Sequence, residues 1–132
     1  MIKILGIDYG RAKIGLARAE GTLADPWKVI KINGWEDALE KVEQVVKVEQ
    51  VEQVVVGVSE AEMGLEQERF VKDLENRLAI PVQTQDEALS TQDAQALSIT
   101  SGQGPKKRRE LEDAYAAAIM LQSWLDTRER SE

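Results

Sequence analysis

Apolar and polar positions change period several times along this chain, and each change marks an element. Ile2, Ile4, Leu5 and Ile7 give a loosely alternating apolar stretch that stops at Tyr9-Gly10, so Lys3 to Asp8 reads as a buried strand entering a tight turn. Ile14 to Ala19 and Trp27 to Ile32 are two further short strands, set apart by Glu20-Gly21 and Asp25-Pro26, and the first third of the chain therefore reads as an antiparallel meander ended by Asn33-Gly34. From Trp35 to about Gln50 the period becomes helical, with Ala38, Leu39, Val42, Val45 and Val46 on one face and glutamates and lysines opposite. Val-Glu-Gln-Val recurs at 42, 48 and 51, but the copies are too short and close for a solenoid repeat.

Val54, Val55, Val56, Gly57 and Val58 form a continuous, mostly β-branched run, the pattern of a strand covered on both sides in a parallel sheet. A helix is expected from about Gly64 to Leu78, with Leu65, Phe70, Val71, Leu74 and Leu78 as its apolar stripe. Ile80-Pro81-Val82 opens another strand leading to Asp86-Glu87, and Ser90 is placed to cap a helix running to about Ser98. After the glycine-containing loop Ser101 to Pro105, a last helix is expected from roughly Arg108 to Asp126, its alanines permitting close packing. The order β-β-β-α-β-α-β-α-α describes an α/β fold: a five-stranded mixed sheet, three antiparallel strands followed by parallel ones, with helices on both faces.

Composition narrows the chemistry. A chain of 132 residues with 42% hydrophobic and 31% charged residues fits one domain over 1–132 with a real core. No apolar run approaches a membrane span and the N-terminus reads as a strand, so a cytoplasmic location without a membrane partner is the expectation. There is no cysteine and no histidine, which removes thiol nucleophiles, imidazole bases and zinc sites of the usual kind. Catalysis would have to use carboxylates, hydroxyls, lysines or a hard oxygen-bound cation. The net charge of -7 opposes binding to a polyanion, but most acid lies in the helical segments Glu36 to Glu52 and Glu60 to Glu75. The dense basic block is Lys106, Lys107, Arg108 and Arg109, so the surface should be polarised.

Asp8, Glu87 and Asp113 stand where such a fold could gather them in the crevice beyond the strand ends. Close carboxylates repel unless a cation or a shared proton intervenes, and magnesium or manganese suits oxygen ligands. Divalent ions held this way can drive phosphodiester cleavage without histidine or cysteine. Each acid also has a plainer role open to it: Asp113 as a charge favouring a helix N-terminus, Glu87 as a loop residue before Ser90. Lys106 to Arg109 could clamp phosphate or form a solvated loop, and Gly10 and Gly15 could mark a turn and a crowded strand. The three tryptophans, none beside the basic block in sequence, read as packing residues.

Ile4-Leu5-Gly6-Ile7-Asp8-Tyr9-Gly10 continuing to Lys13-Ile14-Gly15-Leu16-Ala17, then Val54-Val55-Val56-Gly57, Asp86-Glu87 and Asp113-Ala114-Tyr115-Ala116-Ala117 together resemble the YqgF (RuvX) family, in its order and spacing. The resemblance implies a ribonuclease H-like fold related to Holliday junction resolvases, and a metal-dependent nuclease. It also implies a part in ribosome biogenesis, in 5′-end processing of pre-16S rRNA. Carried over by position, the acidic site is Asp8, Glu87 and Asp113, with Asp86 as a substitute for Glu87; Lys13 and Lys106 to Arg109 would hold substrate. Nucleic acid is the expected partner, structured RNA or alternatively branched DNA, with the oligomeric state open between monomer and homodimer. The chain departs from the family pattern at Ala88, where an arginine is usual, in the acidic loop Ser59 to Gly64, and at Ala12-Lys13, where two cations are usual. These changes weaken attraction for a polyanion and leave a non-hydrolytic binding module as the rival reading.

Overall fold

The structure is a computed structural model that describes residues 2–59, 63–86 and 111–130. Five strands, β1 (Lys3–Tyr9), β2 (Lys13–Glu20), β3 (Ala24–Lys31), β4 (Gln53–Val58) and β5 (Val82–Asp86), form one sheet in the order β3-β2-β1-β4-β5. The first three pair antiparallel, and β4 and β5 add in parallel, as the sequence predicts. Helices α1 (Trp35–Glu49) and α2 (Met63–Arg77) cover one face, and α3 (Glu112–Arg130) covers the other. The helix expected over 90–98 lies outside the described residues, as do Glu87, Ala88 and the Lys106 to Arg109 block.

Alternation along the strands sorts their side chains between two cores. Leu5, Ile7 and Tyr9 of β1, Ile14 and Leu16 of β2 and Val54 and Val56 of β4 point toward α1 and α2, where Leu39, Val42, Phe70 and Leu74 meet them. Ile4, Ala17, Ala19 and Val55 point the other way, onto Ala117, Ala118, Met120, Leu121 and Trp124 of α3. Tyr9, Trp35 and Phe70 form an aromatic trio in the first core: Tyr9 stacks on Phe70 with centroids 4.6 Å apart, and Trp35 meets both edge-on. The Trp35 indole N–H donates to Asp73 Oδ2 at 2.6 Å, which settles its one polar atom.

The connection between β3 and α1 explains the Asn33-Gly34 signal. Gly34 has φ of 104°, a region that disfavours side chains, and the Asn33 backbone N–H donates to Asp37 Oδ2 at 2.7 Å in the first turn of α1. That bond and the Lys41 ammonium hold the Asp37 carboxyl below its ordinary pKa.

Several boundaries and one face differ from the sequence reading, most of the boundaries by a single residue. β3 begins at Ala24, three residues before Trp27, and runs through Pro26; it is an edge strand, where a missing N–H does no harm, and a bulge at Leu16/Ala17 takes up the irregularity. β1 continues one residue past Asp8 to Tyr9, and α3 continues past Asp126 to Arg130. Leu65 is not part of the α2 stripe: it is 73% exposed, and Gly64, Gln67, Phe70, Val71 and Leu74 form the buried face instead.

Candidate active site at the ends of β1, β2 and α3

Asp8 lies one residue from the end of β1, the central strand, and is half-buried. It follows Ile4 and Gly6 in the strand's alternation, and both of those face α3. Its carboxylate therefore rises on the α3 side of the sheet. Across the β1–β2 ladder its register partner is Gly15.

Gly15 is the point on which the helix rests. A side chain there would collide with the backbone carbonyl of Asp113, and one on Gly6 would come within 3.0 Å of Leu121 Cβ. Leu121, Ala117 and Asp113 lie four residues apart, one turn each, so a single line along α3 descends over Gly6 and Gly15. This close approach carries Asp113, in the first turn of α3, to the strand end where Asp8 stands. The Asp113 side chain is 30% exposed, and its Oδ2 lies 3.3 Å from the Lys13 ammonium. Asp8, Asp113 and Lys13 thus occupy one corner of the sheet.

Asp86 faces elsewhere. In β5, Gln83 accepts from the Trp124 indole N–H at 3.2 Å and Gln85 donates to Ser123 Oγ at 3.3 Å, so these two positions point toward α3. The pleat turns Thr84 and Asp86 toward α2, beside Val58, Ser59 and Gly64. Among the described residues no three acids are grouped closely enough to hold a metal. Two oxygen-donor carboxylates on one face, in a chain with neither histidine nor cysteine, fit a hard divalent cation and no softer one.

Gln67 was invisible to a reading of apolar periodicity, yet it braces this end of the sheet. Its side chain is 1% exposed; its Oε1 accepts from the Ser59 backbone N–H at 2.8 Å and its Nε2 donates to the Tyr9 carbonyl at 3.5 Å. One buried amide thereby links the end of β4 to the residue after Asp8. A polar residue spaced three before Phe70 was the available signal. On the far side of Tyr9, burial and the Glu66 carboxylate raise the phenol's pKa, opposed by Arg11, which itself pairs with Glu66 at 3.1 Å.

A family model described as RuvX, Holliday junction resolvase, matches residues 2–127. A relative from Syntrophus aciditrophicus is 35% identical over 133 residues, covering 95% of this chain and 89% of the relative; one from Azotobacter vinelandii is also 35% identical, covering 95% and 94%. Both carry the provisional name of pre-16S rRNA nuclease. Among solved structures, Thermus thermophilus RuvC in complex with a Holliday junction substrate superposes with a TM-score of 0.67 at 18% identity, covering 99% of this chain and 98% of that one. Fowlpox virus resolvase with its junction DNA gives 0.65 at 10% identity, covering 96% and 98%. The fold is ribonuclease H-like.

Proposed function

The chain belongs to the RuvX family, and from that premise we propose that it is a metal-dependent endonuclease that cleaves phosphodiester bonds in structured RNA, in 5′-end processing of pre-16S rRNA. The observation that carries this reading is the seating of α3 on Gly15, which sets Asp113 beside the strand end that holds Asp8. The names of the relatives supply the substrate class.

Of the ligands proposed for magnesium or manganese, Asp8 and Asp113 lie among the described residues, and Glu87 would complete the set. Glu87 is preferred to Asp86 because the Asp86 side chain lies on the α2 side, away from Asp8. When bound, the metal supplies activation of water and neutralisation of charge on the cleaved phosphate. The chain's own residues supply placement: Asp8 from a central strand, Asp113 from a helix pinned by close packing, and Lys13 as a cation at the rim that can turn from Asp113 to phosphate. Lys106 to Arg109 would extend that contact along the backbone. Nucleic acid is then held by its phosphates, which suits recognition by shape.

The test is cleavage of a pre-16S 5′ leader RNA and a four-way DNA junction, with and without Mg²⁺ or Mn²⁺. Cleavage of the RNA in metal, lost by more than about a hundredfold in Asp8→Asn and in Asp113→Asn, is the expected result. Preferential cutting of the junction would move the substrate to branched DNA, in keeping with the family model's description. Metal-independent behaviour identical in wild type and Asp8→Asn would overturn the nuclease reading in favour of a binding module.

A further inference from the structure

Several of the described cations near the end of the sheet that holds Asp8 and Asp113 are committed to acids. Arg11 pairs with Glu66 at 3.1 Å, Lys13 with Asp113 at 3.3 Å, and Lys41 with Asp37 at 3.1 Å. Lys31 is exposed and makes no ion pair among the described residues. It is the last residue of β3 and the register partner of Lys13.

The placement of Lys31 is tightly fixed. Its neighbours Ile30 and Ile32 both pack into the core beneath α1 and α2, so alternation sends the Lys31 side chain to the α3 side, where Lys13 meets Asp113. The Lys41 ammonium donates to the Lys31 carbonyl at 2.7 Å, and the Ile32 N–H donates to the Ala12 carbonyl at 3.0 Å. Two like charges directly opposite on one face of an antiparallel pair repel, since their Cβ atoms are about 5 Å apart. Such a pair is stabilised when a polyanion lies across it.

We infer that Lys31 is a phosphate-binding residue of this nuclease, contacting the nucleic-acid backbone beside the phosphate that Lys13 faces and extending the substrate path from the acids toward the β3 edge. The inference rests on the proposed nuclease site for its location and on register and charge for its content. Because the contact is to phosphate, it does not distinguish bases or sugars. Its signature is therefore electrostatic: a uniform loss of affinity together with a shallower salt dependence.

The experiment is equilibrium binding of a labelled RNA hairpin and of a DNA hairpin of the same sequence, over a salt series, with Ca²⁺ in place of Mg²⁺. Lys31→Gln should weaken binding of both about three- to tenfold and lower the slope of log affinity against log salt by about one. Lys31→Arg should restore both values. Lys47→Gln, in the last turn of α1 and so remote from this end, removes the same net charge and should change neither. No change in Lys31→Gln, an equal loss in Lys47→Gln, a loss confined to one hairpin, or no binding by the wild-type chain would overturn the inference. Cleavage that survives Asp8→Asn would instead sink the nuclease reading and leave the binding result to stand by itself.

Discussion

The two faces of the sheet are built from different materials. Beneath α1 and α2 the contact is made by large side chains, with Phe70, Leu5, Ile7, Ile14, Leu16 and Leu74 all fully buried and an aromatic trio at the site end. Beneath α3, large side chains such as Met120, Leu121 and Trp124 share the contact with small ones, with Ala17 and Ala19 on the sheet, Ala117 and Ala118 on the helix, and Gly6 and Gly15 where the two backbones nearly touch. Bulk on the first face removes more apolar area from water and so contributes more to stability. Smallness on the second brings a helix backbone onto the strands, and that proximity carries the turn of Asp113 to the strand end of Asp8. The core that contributes most to stability and the core that positions the proposed acids are thus separable.

Substitutions on each face should pull those roles apart. Phe70→Ala removes the ring between Tyr9 and Trp35 and should cost about 3–5 kcal/mol in denaturant unfolding. Cleavage per folded molecule should fall little, because the acids do not rest on Phe70. Gly15→Ala should cost less, about 1–3 kcal/mol, since the helix can lift from the strand. Yet it should reduce cleavage and Mn²⁺ binding far more than Phe70→Ala does, because the lifted turn is the one that carries Asp113. Equal effects of the two variants on activity per folded molecule would erase the distinction between the faces.

Smaller effects sharpen the same contrast. The raised pKa of Tyr9 means that, above the ordinary tyrosine value near 10, the unfolded chain loses its proton before the native one. Stability should thus be independent of this group below that pH and fall as pH rises through the interval up to the raised value. Tyr9→Phe should flatten that alkaline decline in unfolding measured at a series of pH values. Smallest of all, Leu65→Ser on α2 should change stability by no more than about 0.5 kcal/mol, since Leu65 faces water.

Much of this arrangement is legible along the chain, and the remainder fails for identifiable reasons. The run Val54 to Val58 and the acid after Ile7 announce a covered strand and a candidate ligand because period and residue type agree there. The phase of α2 is harder: Leu65 looks like part of the stripe, but the buried row passes through Gly64 and Gln67, small and polar residues that hydrophobicity ignores. Pro26 reads as a boundary, whereas an edge strand needs no donor on its outer side. Lys31 carries no signal in sequence, for its meaning comes from a partner eighteen positions earlier across a ladder. Asp86 and Glu87 are equivalent letters until the pleat assigns Asp86 to the α2 side.

The outer strand has a bearing on how copies of the chain meet. Pro26 takes away one amide, the irregularity at Leu16/Ala17 skews the ladder, and Lys28 and Lys31 stand exposed along the same strand. A second molecule seeking to lengthen the sheet at this margin would find a bent, charged template with a gap in its row of donors. Self-propagation by strand addition is thereby discouraged, which leaves this flank of the molecule open to a strand of a different polymer.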